Sequence, residues 1–231
     1  MTVSIVIPAF DEANTIACCV GEALRCKEAG EVIVVDDGST DNTAGLAEQA
    51  GARVVCMSRN GGKAAAMNAG VREARHDIIL FLDADVTGLT PEAITRILEP
   101  VLQGRYEMYV GLRARRTVWL NRLMHFFPII GGERAVTRRL WEAVPKHYQE
   151  GFKIEIALNH TSKQFERGMG FEFISGTVHH IKEKKYGLAL GLTRRVGMIV
   201  DVVMISGQIY IWDPALNRMK RAMVSMREWL A

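Results

Sequence analysis

Ile78-Ile-Leu-Phe-Leu-Asp-Ala-Asp-Val86 is a run of five large apolar residues that ends in two carboxylates, Asp83 and Asp85, one residue apart. An uninterrupted apolar run of this length predicts a strand buried on both faces. Its C-terminal end then delivers the acids to the edge where open α/β sheets place ligands. Residues i and i+2 of a strand point the same way, so both carboxylates face one site. Two carboxylates that close repel unless a cation or a shared proton offsets them. Hard oxygen ligands suit Mg²⁺ or Mn²⁺, which keep waters and bind substrate phosphates as well. The plain alternative is an acidic turn after a core strand.

The segments before this run repeat its logic. Val3-Ser-Ile-Val-Ile7 is a β-branched run that Pro8 is expected to stop. Pro8-Ala-Phe-Asp-Glu-Ala-Asn14 follows as a loop, and Asn14 or Thr15 caps a helix through Leu24. Glu31-Val-Ile-Val-Val35 is a second strand, ending in Asp36-Asp-Gly-Ser-Thr-Asp-Asn42, a stretch of turn formers. A helix from Thr43 to Ala50 and a third strand from Ala52 to Met57 come next. The Gly-rich Asn60-Gly-Gly-Lys63 then opens an Ala-rich helix. After the central strand, Thr90 caps a helix with Pro91 at its first position. Strands alternating with helices imply a mostly parallel sheet covered on both faces. The polar clusters Asp36/Asp37, Asn60–Lys63 and Asp83/Asp85 all follow strands, so they converge on one crevice.

Past Gly104 the alternation weakens. Tyr106 to Leu112 reads as a strand, and 118–130 as an apolar segment broken by Gly131-Gly-Glu-Arg-Ala135. Gly151 to Leu158 begins a helix containing Glu155, and Phe171 to His180 alternates like a strand.

With 48% hydrophobic and 24% charged residues in 231, the composition is globular and supplies ample core. Cys18, Cys19, Cys26 and Cys56 lack CxxC spacing and read as reduced thiols of a cytosolic protein. The chain enters a strand pattern at once, so no signal peptide is expected. Residues 182–231 carry nine basic and four acidic side chains, a net +5 within an overall +3. A basic, apolar, helical tail suits an anionic surface, a membrane rather than nucleic acid. Within it Val196 to Trp212 has Asp201 as its one charge, with Arg194 and Arg195 ahead and Tyr210 and Trp212 closing it. That is the pattern of a helix lying in the interface, or of a core or dimer helix.

The first strand is followed by Pro8-Ala-Phe-Asp-Glu12, without the glycines that let backbone amides meet a pyrophosphate in dinucleotide-dependent oxidoreductases. Gly61-Gly-Lys63 is followed by alanine, so no Walker loop is present. A metal held by Asp83/Asp85, assisted by Lys63, is the economical way left to bind phosphate.

Ser4-Ile-Val-Ile-Pro-Ala-Phe-Asp-Glu12, Val34-Val-Asp-Asp-Gly-Ser-Thr-Asp41, Gly61-Gly-Lys with Asn68-Ala-Gly70, and Phe81-Leu-Asp-Ala-Asp85 resemble, in order, the motif set of family-2 glycosyltransferases with the GT-A fold. The match is strong over residues 3–90 and looser through Gly132-Glu-Arg-Ala135 and Gly151–Leu158. The resemblance implies an α/β protein with a GT-A type, mostly parallel central sheet flanked by helices and a C-terminal amphipathic helical appendage. It divides the chain into a nucleotide-sugar half (1–104), an acceptor and catalytic half (105–181) and the tail (182–231). Pro8, Ala9 and Glu12 are expected to line the nucleoside pocket, Asp37 to accept from the base with Asp36 beside it, and Asn60 and Lys63 to approach the ribose or diphosphate. Asp83, with Ala84 beside it, is expected to face the ribose and metal-bound water, and Asp85 to bind Mn²⁺ or Mg²⁺ directly. A third ligand is expected from His179 or His180, with His180 favoured because neighbours in a strand point oppositely.

The implied reaction moves a sugar from a UDP- or GDP-sugar to a lipid-linked or glycan acceptor at the cytoplasmic membrane face. For an inverting reaction on a hydroxyl, Glu133 and Glu155 are the alternatives for a general base. A phosphate acceptor needs no base. Polyprenyl-phosphate sugar synthases frequently carry an aromatic residue where Glu133 stands, which places that acceptor second. The remaining alternatives are a nucleotidyltransferase, which would need a Gly-rich basic loop after the first strand, and a non-catalytic sugar-nucleotide-binding subunit. Homodimer formation and the anomeric outcome stay open.

Overall fold

The computed structural model describes residues 2–113, 133–151, 153–174 and 178–179 and positions 204, 207 and 209. His180, segment 118–130 and nearly all of 182–231 therefore lie outside the described residues. The chain forms two compact units, Met1–Ile181 and Lys182–Ala231.

The first unit is built on a seven-stranded sheet of order β3-β2-β1-β4-β7-β6-β8. Its strands are β1 (Val3–Ala9), β2 (Ala29–Asp36), β3 (Arg53–Cys56), β4 (Ile78–Phe81), β6 (Met108–Arg113), β7 (Glu133–Thr137) and β8 (Met169–Ile174). All pairings are parallel except those of β7, which runs antiparallel to both β4 and β6. A two-stranded ribbon pairs β5 (Val86–Thr87) with β9 (Val178–His179). The helices are α1 (Ile16–Leu24), α2 (Thr43–Gln49), α3 (Lys63–Glu73), α4 (Pro91–Leu102), α5 (Arg138–Ala143) and α6 (Lys153–Ser162).

Strand alternation divides the core between the two faces. Val3, Ile5 and Ile7 of β1 and Leu80 of β4 join Ile16 and Val20 of α1 and Ile94, Ile97 and Leu98 of α4, all buried. Val6 and Val35 face α3 instead, which approaches so closely that a Cβ on Gly70 would lie 2.3 Å from Val6 Cγ1. Each large aliphatic side chain buried this way contributes roughly 1.5–3 kcal/mol, and β1 is covered on both sides. Thr90 caps α4 as its sequence implies, its hydroxyl accepting the Ala93 N–H at 3.3 Å.

Three expectations are corrected. Pro8 does not end β1, which pairs with β2 as far as Ala9 opposite Asp36. The pairing with β4 stops at Val6, so Pro8 lies where the β4 side of the strand has no ladder to interrupt. Of the Gly131 to Ala135 stretch expected to break the apolar segment, Glu133 to Ala135 belong to β7, with Phe81 opposite Arg134 at the middle of the sheet. The single strand expected over Phe171 to His180 is two, β8 in the large sheet and β9 in the ribbon.

The order 3-2-1-4 contains a switch point. The chain winds outward from β1 to β3, then crosses back through α3 to place β4 on the other side of β1. Loops after β1 and β4 diverge there and leave a crevice at the C-terminal edge. Because β7 is antiparallel, its first residues reach the same edge.

Candidate active site

Four loops meet at this edge. The loop after β1 is tied to the loop after β2. Asp11, whose φ of 53° lies in the left-handed region, accepts the Thr40 N–H at 2.7 Å. The Asp11 N–H donates to Ser39 Oγ at 2.9 Å, the Glu12 N–H to Thr43 Oγ1 at 2.9 Å, and the Ala13 N–H to Asp41 Oδ2 at 3.1 Å. Sequence reasoning assigned Asp11, Ser39, Thr40, Asp41 and Thr43 no site role; the cluster of turn formers was the signal, but not its partner loop.

Asp36 and Asp37 are both buried. Asp36 accepts from the Ser39 hydroxyl and closes its own loop. The two oxygens of Asp37 accept the Gly61 N–H at 2.7 Å and the Gly62 N–H at 2.8 Å, and the Asp37 N–H donates to the Ala9 carbonyl at 2.8 Å. Asn60 is exposed and turns inward on its own loop, its Oδ1 accepting the Gly62 N–H at 3.1 Å.

Gly62 precedes Lys63, the first residue of α3. The Lys63 ammonium lies 2.9 Å from Asp83 Oδ1 and 3.1 Å from Glu155 Oε1. Burial works against the charged amine, but Asp83 and Glu155 outweigh it and hold Lys63 above its usual range. Glu155, in the first turn of α6, has its other oxygen 3.7 Å from the guanidinium of Arg134, a side chain only 1% exposed. Arg134 was quoted in the sequence without a role. A buried arginine on a strand has no periodic signature, and only the antiparallel turn of β7 brings it here.

Glu133 and Arg134 are neighbours on β7 and point to opposite faces. Arg134 meets Glu155. Glu133, also buried, lies within electrostatic range of Cys19 on α1, together with Asp83 and Asp85. Burial first, and then Asp83, Cys18, Glu133 and Asp85, push the Cys19 thiol up to about 12. Of the two acids expected as alternatives for one base, Glu133 thus points from one face of β7, while Glu155 of α6 meets Arg134 on the other.

Asp83, Asp85, Glu133 and Glu155 thus bring acidic side chains to this edge, beside the basic Lys63 and Arg134. Among the described residues no three His, Cys, Asp or Glu side chains form a metal-holding group. Asp83 and Asp85 are hard oxygen donors of the kind that Mg²⁺ or Mn²⁺ takes together with waters and substrate phosphates. β9 ends at His179, whose partner is Val86, one residue beyond Asp85.

This is a GT-A fold: a mostly parallel sheet whose acidic loops gather at the switch point. A family model described as glycosyl transferase family 2 matches residues 4–159, and the chain belongs to that family. An undecaprenyl-phosphate 4-deoxy-4-formamido-L-arabinose transferase of Pseudomonas fluorescens (strain SBW25) is 38% identical over 128 residues, which are 49% of this chain and 36% of that protein. One of Pectobacterium carotovorum subsp. carotovorum (strain PC1) is 36% identical over 124 residues, 49% of this chain and 37% of that protein. The chain thus spans little more than a third of the length of these curated relatives. The crystal structure of M. tuberculosis glucosyl-3-phosphoglycerate synthase is similar at 26% identity and TM-score 0.66, covering 78% of this chain and 73% of that one. The same enzyme in complex with Mn²⁺, UDP-glucose and phosphoglyceric acid superposes with TM-score 0.73 over 90% of this chain and 79% of that one; at 23% identity this likeness concerns the fold alone.

Proposed function

We propose that the protein transfers a glycosyl group from a nucleoside-diphosphate sugar to a polyprenyl phosphate. The observation that carries this reading is Glu155, whose two oxygens face Lys63 and Arg134 at 3.1 and 3.7 Å. A carboxylate held between two cations anchors charge and is not presented to an incoming hydroxyl. A phosphate acceptor is already an anionic nucleophile and needs no base. The relatives' printed acceptor, undecaprenyl phosphate, supports the same reading. On the relatives' printed acceptor, the acceptor set second on the strength of Glu133 moves to first.

In this mechanism a phosphate oxygen of the acceptor attacks the anomeric carbon, and the bond from that carbon to the donor diphosphate breaks. The loops at Pro8, Ala9 and Glu12 bound the nucleoside, and Asp37 accepts from the base with the lone pairs left by Gly61 and Gly62. Lys63 neutralises charge released on the leaving diphosphate. Asp85 and Asp83 would hold Mg²⁺ or Mn²⁺, which would supply positive charge to offset that of the donor phosphates. His180, outside the described residues, is the proposed further ligand on the strength of the family resemblance. Asn60 sits at the mouth of the diphosphate site.

Among the described residues no helix is long and apolar enough to cross a membrane. The basic segment 182–231 and the apolar 118–130 are proposed to hold the protein peripherally on the cytoplasmic membrane face, beside its lipid acceptor.

The test has two stages. Thermal stabilisation by UDP, GDP, dTDP and CMP, with and without Mn²⁺, identifies the base for wild type and is expected to vanish in Asp85→Ala. Transfer is then measured from the matching labelled sugar donor to undecaprenyl phosphate. Transfer to a hydroxyl acceptor alone, abolished by Glu133→Gln, would refute the phosphate-acceptor reading. Nucleotide binding without turnover on either acceptor would mark a non-catalytic binding subunit.

A further inference from the structure

We propose that Lys63 is the resident counter-ion of this site: its ammonium occupies the Asp83 carboxylate and opposes a divalent cation there until a diphosphate arrives to take the ammonium over. The proposal rests on the glycosyl-transfer reading for the identity of the diphosphate and the metal.

Three observations carry it. The ammonium already sits on Asp83, at 2.9 Å, so a metal approaching that oxygen meets a fixed positive charge. The ammonium is held from behind by Glu155 at 3.1 Å, and Glu155 is itself buried against Arg134. Finally, the backbone that launches Lys63 is pinned, because Gly61 and Gly62 donate to Asp37 at 2.7 and 2.8 Å. Lys63 is thus positioned at both ends. It does not leave Asp83 for water without losing two carboxylate partners.

A cation arriving alone lacks phosphate oxygens and meets a competitor at Asp83. A diphosphate changes both terms. It adds oxygen ligands for the metal, and it offers the ammonium an anionic partner beside Asp83. Metal and nucleotide then strengthen each other, and by linkage each raises the other's affinity by the same factor. Lys63 supplies part of that factor by weakening the metal-alone state. A lysine whose ammonium stood away from Asp83 in the nucleotide-free protein would leave the metal-alone state nearly untouched.

The experiment measures Mn²⁺ binding to the full chain by the loss of the free-ion EPR signal, with and without UDP or whichever nucleoside diphosphate stabilises the protein. It compares wild type, Lys63→Met and Lys63→Arg, with folding checked by circular dichroism. Removing one positive charge beside the ion is expected to tighten Mn²⁺ binding in the absence of nucleotide by about tenfold or more. The enhancement of Mn²⁺ affinity by nucleotide is expected to shrink by a similar factor in Lys63→Met. Lys63→Arg keeps the charge and is expected to stay near wild type without nucleotide. Unchanged metal-alone affinity in Lys63→Met, with the nucleotide enhancement intact, would overturn the counter-ion role and leave the glycosyl-transfer reading standing. Absence of Mn²⁺ binding in every variant with every nucleotide would overturn both.

Discussion

Asp37 accepts the backbone N–H of Gly62 at 2.8 Å, so a carboxylate at the end of β2 fixes the turn from which α3 and Lys63 start. The relationship also explains the glycine. Gly62 has φ of 84°, a conformation that side-chain-bearing residues rarely adopt, and only there do both amides of the turn point at one carboxylate. In the proposed site, the base end and the diphosphate end of the crevice would be joined through this one side chain.

Asp37→Ala is therefore expected to destabilise the protein by about 1–3 kcal/mol, since two amides lose a charged acceptor. It is also expected to weaken a nucleoside diphosphate more than the corresponding nucleoside, because Lys63 is displaced along with the turn. Calorimetric titration with both ligands checks this. Equal losses for the two would mean that Asp37 reads the base and nothing else.

Glu155→Gln removes the charge that steadies Lys63 but no proton acceptor. Turnover is expected to fall by roughly 10–100-fold, the scale of losing a charge-assisted pair at a reacting centre. The acid limb of the pH–rate profile is expected to keep its midpoint. Disappearance of that limb in the variant would instead identify Glu155 as a base.

The four cysteines differ in surroundings and hence in reactivity. Cys18 and Cys56 are exposed, whereas Cys19 and Cys26 are buried. The Cys19 thiol, pushed up to about 12 by burial and nearby acids, stays protonated across the neutral range. Two thiols are expected to react quickly with a maleimide reagent in the native protein, and the other two only after unfolding; peptide mapping by mass spectrometry identifies which. Rapid labelling of Cys19 in the folded protein would mean that the α1 face of the site is open to solvent.

Acid sensitivity should centre on Glu31 and Glu107. For Glu31, burial raises the carboxyl, but hydrogen bonds from Ser4, the Arg75 N–H and Arg53 outweigh it and hold it below the ordinary range. The Arg139 guanidinium and the Thr137 hydroxyl do the same for the buried Glu107. A carboxyl depressed in the folded state stabilises fully above its unfolded pKa, and that contribution drains as pH falls through the folded value. Melting temperatures are thus expected to decline on the acid side of the carboxylate range, and Glu31→Gln to flatten part of that decline. A variant with the same acid slope as wild type would rule Glu31 out as a contributor.

The parallel half of the molecule was legible in the sequence because its signals are local. β-branched runs at Val3–Ile7 and Glu31–Val35, the Thr90-Pro91 cap and the apolar run into Asp83 each act through neighbours in the chain. The register of loops that follow strands then predicted where the acids gather. What the sequence could not show is pairing between distant segments. Nothing local to Glu133-Arg-Ala-Val-Thr137 says that it runs antiparallel beside β4, and that single reversal carries Arg134 and Glu133 to the edge of the candidate site on opposite faces. Likewise Asp37 was read as a base acceptor, and its hold on Gly61 and Gly62 follows from a contact 24 and 25 residues away in sequence. Composition and pattern determined the class of sheet and the list of acids. The tertiary structure decided which acids stand beside cations, because a charge is balanced by whatever the fold brings within a few ångströms and not by its neighbours along the chain.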